Sequence, residues 1–251
     1  MSSWASKRKF LYGGTLAVII LAIAGYVVFA NLYQAPTCFD GVKNGDETGV
    51  DCGGSCQRLC PSAFLSPKIS WKSFGQLGVG TYNVAAYVIN PNNNGAAVNV
   101  PYHFVIYDVN GDQIVDVPGK FNIPPHRNTL AFLGPIAVGK RVPYKVFFEF
   151  TRSPDWQQAT DTLSSLSIGP KKYTEDKYGS SLLVTLRNNN VKPLGSVFVY
   201  VALSDASSNI IGFSKTIIDG INGLSSIDAP FTWPVSHNGK VVSIEVLPVA
   251  E

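Results

Sequence analysis

The sequence predicts an all-β fold: two tandem β-sandwiches carried on an N-terminal transmembrane helix, with a small disulfide-rich segment between them. Three observations predict it. Residues Phe10 to Leu32 form a run of 23 without a charge. All four cysteines fall between Cys38 and Cys60. Beyond Pro61 the chain turns to short alternating runs broken by Gly, Pro and Asn, as strands and turns are, and that pattern occurs twice.

The uncharged run comes first. An apolar helix needs about 20 residues to cross the hydrocarbon core, so 10–32 is read as a span and 1–9 as a cytoplasmic N-terminus. Lys7, Arg8 and Lys9 favour the inside, while Tyr12, Tyr26 and Tyr33 sit where amphipathic rings prefer the interface. Lipid is therefore the expected partner of residues 10–32, with the remainder extracellular or periplasmic. The competing reading is a cleaved signal peptide, with Val28-Phe29-Ala30 as a tolerable cleavage site. Length favours the retained anchor, because signal h-regions run only about 7–15 residues. Gly13, Gly14 and Gly25 offer small surfaces to another helix, without G-x-x-x-G spacing.

Charge excludes one class of partner. The net charge of +3 comes from Lys7, Arg8 and Lys9; the rest of the chain balances 17 basic against 17 acidic residues. A nucleic-acid binder needs a cationic face that displaces counterions, so nucleic acid is not expected as a partner.

Residues 33–61 are the disulfide-rich segment. Cys38, Cys52, Cys56 and Cys60 follow the spacing C-x13-C-x3-C-x3-C, with no C-x-x-C. That pattern is unlike zinc ribbons and thioredoxin-type redox motifs. An even count in an oxidising exterior favours two disulfides, with three possible connectivities. The loop also holds Asp40, Asn44, Asp46, Glu47 and Asp51. Five oxygen-bearing side chains are compatible with calcium, which takes 6–8 oxygens, although the spacing is not an EF-hand. The alternative, which is favoured, is a structural knot in which glycines turn the chain and Asp and Asn cap the turns. From Asn44 to Cys56 the segment resembles the short "NGxETGxDCGGxC" cassettes of cell-surface proteins. That resemblance implies export and supplies no activity.

Residues 62–158 and 159–251 are read as the two sandwiches. The clearest strands of the first are 82–90, 96–108 and 144–150; of the second, 180–188, 195–205 and 240–248. A constant offset of 96 aligns Asn92-Asn93-Asn94 with Asn188-Asn189-Asn190, Val105 with Val201, and Val146 with Val242. Alternation places Val98, Val100, Tyr102, Phe104 and Ile106 on one face of a strand. Val146, Phe148 and Phe150 share a face, with Lys145 and Glu149 opposite. The run 197–202 is apolar on both faces, which fits a strand covered on both sides or an inter-domain contact.

Asp108-x-Asn110-x-Asp112 has the first ligand spacings of an EF-hand loop, but Asn110-Gly111 is also a strong type I′ hairpin signal. At offset 96 the second copy has Ser204, Ala206 and Ser208, so the hairpin reading is favoured. Phe104-Val105-Ile106-Tyr107-Asp108 resembles the F-x-L-Y-D signature of FxLYD-type domains, with Ile for Leu. The following Asn110-Gly111 and the upstream 89–104 stretch extend that match, and the Asn90-Pro91-Asn92 element is similar to LEA-14-like domains. The likeness spans about 78–136 and is repeated less clearly at 174–248. It implies Ig-like or FxLYD-like sandwiches, often membrane-tethered in bacteria, with no catalytic residues.

No catalytic constellation stands out. His103, His126 and His237 are isolated from one another, and no nucleophile elbow, phosphate loop or dinucleotide fingerprint occurs. Trp156 lies in a polar connection, 152–165, expected to form a short helix, with its ring anchoring a partner or filling the inter-domain joint. The expected function is binding rather than catalysis: a cell-surface protein presenting two sandwiches to a protein or glycan, for adhesion or envelope assembly. The alternatives are an accessory subunit held in a membrane complex by its helix, and a surface enzyme. The absence of N-x-[ST] sequons fits a prokaryotic surface.

Overall fold

The computed structural model describes residues 4–33, 35–60 and 63–251. They fall into two compact units, up to residue 54 and from residue 55 onward. The expected boundary at 61/62 lies outside the described residues, and the segment expected at 33–61 is shared between the units.

In the first unit, α1 (Trp4–Leu32) carries the uncharged run. Its stretch Lys7–Leu32 is long and apolar enough to cross a membrane, and none of its apolar window is buried. Its polar side chains fold back on the helix: Thr15 donates to the Leu11 carbonyl at 2.6 Å and Asn31 to the Val27 carbonyl at 2.7 Å. Such bonds satisfy groups that lipid leaves unsolvated. The loop that follows is a chain of tight turns. At Gly54, with φ of +61°, a Cβ would lie 2.0 Å from the Asp46 carbonyl oxygen, so only glycine fits.

Among the described residues the second unit has thirteen strands. The first sandwich contains β1 (Lys68–Gly78), β2 (Thr81–Ile89), β3 (Gly95–Tyr107), β4 (Gln113–Ile123), β5 (Thr129–Ala137) and β6 (Lys145–Phe150). A short β7 (Gln157–Gln158) pairs with the start of β3. The second contains β8 (Leu166–Glu175), β9 (Ser180–Asn188), β10 (Val197–Ser204), β11 (Ile210–Ile218), β12 (Ser226–Trp233) and β13 (Ser243–Ala250). The first pairs sheet β1-β2-β5 with sheet β4-β3-β6; the second repeats this as β8-β9-β12 with β11-β10-β13. All the pairings are antiparallel.

Each sandwich has its own core. Val84, Val100, Tyr102, Phe104, Ile106 and Phe148 fill the first; Val184, Leu186, Val199, Val201, Leu203 and Phe231 fill the second. A third cluster joins them, with Ala85, Tyr87 and Leu130 meeting Tyr200, Phe213 and Leu247. Sheet β1-β2-β5 therefore packs face to face on β11-β10-β13, and both are covered on both faces. This resolves the doubly apolar run 197–202: its valines face the second core, while Phe198 and Tyr200 face the joint. The joint is aromatic, with Trp71 5.7 Å from Tyr87 and Phe132 6.1 Å from Phe213 between centroids.

Four expectations are corrected. Val98 is exposed, because the ladder shifts between Ala97 and Val100 and Asn99 takes a φ of +52°. This β-bulge turns Val98 out of the core series. The 152–165 connection holds no helix but β7 and a turn, and Trp156 fills the first core rather than the joint. The offset of 96 breaks the in/out pattern, since Val201 is buried in its core and Val105 is not. Matching turns show the true relation. The Asp108 amide donates to the Asp112 carbonyl as the Asp205 amide does to the Asn209 carbonyl, an offset of 97. Asn92 donates its amide to Asn90 Oδ1 as Asn190 does to Asn188 Oδ1, an offset of 98.

Finally, the 108–112 hairpin is not type I′. Gly111 has positive φ, at +86°, and Asn110 does not, so the turn centres on Val109-Asn110 with Gly111 as its bulge. Its counterpart is Asp205-x-Ser207-x-Asn209 rather than Ser204, Ala206 and Ser208. Asp108 Oδ1 caps the amides of Asn110 and Asp112, as Asp205 Oδ1 caps those of Ser207 and Asn209. The repeat thus preserves the capping aspartate.

Candidate functional site

The side chains singled out in the cysteine loop sit among its turns. All four cysteines are in disulfides, and Cys52, Cys56 and Cys60 are buried. Asp40 accepts the Thr37 and Val42 amides at 3.0 Å and the Asn44 side-chain amide at 2.9 Å. These bonds, the Asn44 contact foremost, hold its carboxyl below the usual range. Asp51 accepts the Gly41 amide, and Glu47 accepts those of Asn44 and Asp51. The Asp46 backbone carbonyl lies close against Gly54. The structure thus brings the candidate calcium ligands into one loop, with Asp40, Glu47 and Asp51 engaged by N–H donors.

A groove of about 500 Å³ opens on the first sandwich, lined by Arg58, Leu59, Phe64, Arg152, Asp155 and Trp156 among others. Local pairing builds it. Leu59 donates its amide to the Trp156 carbonyl at 3.0 Å, Gln158 donates to the Gln57 carbonyl at 2.6 Å, and Arg58 bridges to Gln157. These bonds bind the chain beyond Ser55 to the strand-like 156–158 segment. Trp156 lies under it at 1% exposure, 5.6 Å from the Phe64 ring. Gly95 makes the room, since a Cβ there would come within 3.4 Å of both Leu59 and Trp156.

Above this aromatic floor are two guanidinium groups. Arg58 Nε lies 3.2 Å from Asp155 Oδ1, with both side chains more than half exposed. Arg152 is exposed beside them. Among the described residues the buried indole Nε1 of Trp156, a donor only, meets no hydrogen-bond partner. The groove therefore combines fork-shaped cations with an aromatic base, the chemistry that recognises carboxylates on ring-bearing or acidic partners. Sequence reading found Trp156 but neither arginine, because nothing local joins residue 58 to residue 152. A larger depression of about 610 Å³ lies by Ser164, Lys192 and Glu251 and has no aromatic floor.

The second sandwich brings together residues that sequence kept apart. His237, 6% exposed, has Nδ1 2.9 Å from the Tyr173 hydroxyl and 3.0 Å from Ser180 Oγ. Tyr173 donates to Glu175 Oε2 at 2.9 Å, and Ser180 donates to the Val235 carbonyl at 3.0 Å. Both hydroxyls thus converge on Nδ1, while Nε2 packs against Gly212. Glu175 also accepts the backbone amides of His237 and Gly239. Burial lowers the His237 pKa from its ordinary value, with Glu175 and the Ile211 carbonyl opposing. Burial tends to raise Glu175, but its bonds from Tyr173 and the loop amides hold it below the usual carboxylate value. Every bond in this network ends on the 235–239 loop or its supports, so the cluster fixes that loop.

The other two histidines are on the surface. His103 Nδ1 lies 2.9 Å from Asp116 Oδ1, and its Nε2 lies 3.6 Å from Glu149 Oε2, across three adjacent strands. His126 Nδ1 meets Asn93 Oδ1 at 3.3 Å.

No protein-family model matches this chain, and no curated protein matches it. Among solved structures it is similar to red sea bream transglutaminase, at 12% identity and a TM-score of 0.23, over 74% of this chain and 31% of that one. It is similar to Bacteroides uniformis beta-glucuronidase at 11% identity and a TM-score of 0.20, over 69% of this chain and 22% of that one. The tandem CBM22-1-CBM22-2 domain of Paenibacillus barcinonensis Xyn10C gives 8% identity and a TM-score of 0.16, over 74% of this chain and 86% of that one. The chain spans under a third of the first two proteins, and likenesses this distant carry no inference about activity.

Proposed function

We propose that this chain is a membrane-anchored binding protein. In this reading α1 sits in the lipid with Lys7, Arg8 and Lys9 on the cytoplasmic side, and the double sandwich stands outside the cell. It takes a carboxylate-bearing protein or glycan at the Arg58–Arg152 groove, in adhesion or envelope assembly. The observation that carries the reading is the groove itself, with two arginines over a Phe64–Trp156 floor. The fully exposed apolar helix supports the anchor.

Two measurements test it. Protease added to intact cells is expected to remove a C-terminal epitope while the protein resists alkaline extraction; a protected epitope defeats the orientation. Full-length protein in detergent is expected to be retained on poly-L-glutamate or oligogalacturonate beads, with retention lost in R58E/R152E. Equal retention of the variant defeats the groove.

A second reading is an accessory subunit held in a larger complex through α1. It is favoured by Gly13, Gly14 and Gly25, where a Cβ would meet nothing within 4 Å, so another helix has room to approach closely. Exchanging α1 for an unrelated span leaves groove binding intact under the first reading and abolishes co-purification of a complex under the second.

A further inference from the structure

The two sandwiches stack head to tail, and the strand registers say which residues on the free outer face correspond to the joint. In the joint Tyr200 pairs with Leu247, and Ala202 pairs with Phe213. On the outer sheet β4-β3-β6, His103 pairs with Glu149, and Val105 pairs with Asp116. The offsets of 97 and 98 therefore equate Tyr200 with His103, Phe213 with Asp116, and Leu247 with Glu149. Three residues of the apolar covered face become a histidine flanked by two carboxylates on the free one.

The opposite end shows the same change. Tyr87 pairs with Leu130, and Ala85 with Phe132, in the joint; Thr185 pairs with Asp228, and Leu183 with Pro230, on the outer face of β8-β9-β12. Thr185 donates to Asp228 there at 2.7 Å. A head-to-tail contact does not close on itself, so repetition of this one would build a fibre. Repeat stacks end where the terminal unit carries a polar face.

We infer that the His103–Asp116–Glu149 triad seals the stack: the outer face of β4-β3-β6 is a latent docking surface for a second copy of this chain, closed by these three side chains. Covering them would strip water from two carboxylates whose partner is already met within the sheet. The equivalent positions in the joint carry no such cost. The shared topology and register make the face continuous in kind with the contact already formed between β1-β2-β5 and β11-β10-β13.

The test uses the full chain in nanodiscs loaded with one copy each, so that helices cannot meet, with association followed by sedimentation velocity. Wild-type discs are expected to stay single at micromolar concentration. H103Y/D116F/E149L, which copies the joint residues onto the outer face of β4-β3-β6, combined with T185Y/D228L, which copies Tyr87 and Leu130 onto the β8-β9-β12 face that a second copy presents, is expected to pair at least tenfold more tightly, in a concentration-dependent way. D116L/E149L retains His103 and guards against a folding failure; it is expected to pair in the same direction but less strongly. Folded variants that remain single overturn the inference. So does a wild type that pairs, if E149R abolishes the pairing.

Discussion

The Tyr87 hydroxyl donates to Glu245 Oε1 at 2.6 Å across the joint between the sandwiches, while Asn128 donates to the same hydroxyl at 3.0 Å. The two acceptor–donor roles of one phenol are both filled, in an otherwise apolar contact of Trp71, Phe132 and Phe213. Burial and then the Glu245 carboxylate push the Tyr87 pKa up to about 12.

Tyr87→Phe removes both bonds without emptying the ring's space. It is expected to lower stability by roughly 1–3 kcal/mol, the net worth of two hydrogen bonds of which one meets a carboxylate. Urea denaturation measures that loss. Ultraviolet titration of the variant should lack one tyrosine that ionises near pH 12 in the wild type.

His237 makes stability fall on mild acidification. Its folded pKa lies below the ordinary value, so the unfolded chain binds the proton more readily. Its contribution is complete above about pH 6.5 and is lost as pH falls toward the folded value. Glu175, Asp108 and Asp205 are also held low, so their contributions disappear only below about pH 4. His237→Gln is expected to flatten the slope of melting temperature between pH 7 and 5 and to keep the loss below pH 4. An unchanged upper slope would remove His237 as its source.

Gly119 lies under the Tyr102 ring, where a Cβ would be 2.5 Å from Tyr102 Cζ. That ring cannot yield, being held at 1% exposure by Phe104, Phe121 and Phe148 and bonded to the Phe132 carbonyl. Gly119→Ala is therefore expected to destabilise the protein by roughly 1–3 kcal/mol, the range for overpacked cores. Gly78→Ala, with nothing within 4 Å of the added carbon, is the control for the same substitution in an open site.

The cysteine loop should answer to reductant rather than chelator. Its carboxylates are occupied by amide donors at Asp40, Glu47 and Asp51, and all four cysteines are bridged. Amide exchange of residues 38–60 is expected to be the same with EDTA and with calcium, and to rise after thiol reduction. Slowed exchange on adding calcium would make Asp40, Asn44, Asp46, Glu47 and Asp51 a metal site.

Some of this protein was legible because local pattern and physics agree. The uncharged run is long enough to span lipid whatever surrounds it. The even set of cysteines has no metal-type spacing. The central strands β2, β3, β9 and β10 showed at once, since a strand flanked on both sides and packed on a core carries long apolar runs. Most edge strands did not. Pro118 in β4, Pro135 in β5 and Pro170 in β8 break the alternation, and an edge tolerates proline because one side needs no ladder donor.

What tertiary structure alone decided is which residues meet. A single bulge at Val98-Asn99 and a repeat offset drifting between 97 and 98 turn side chains from one face to the other, because strand faces alternate every residue. The packing of β11-β10-β13 on β1-β2-β5 decides that Phe213 seals a joint while its counterpart Asp116 faces water. Tertiary pairing also brings Arg58 and Arg152 to one groove and His237 beside Ser180, pairs separated by long stretches of chain that no local spacing encodes.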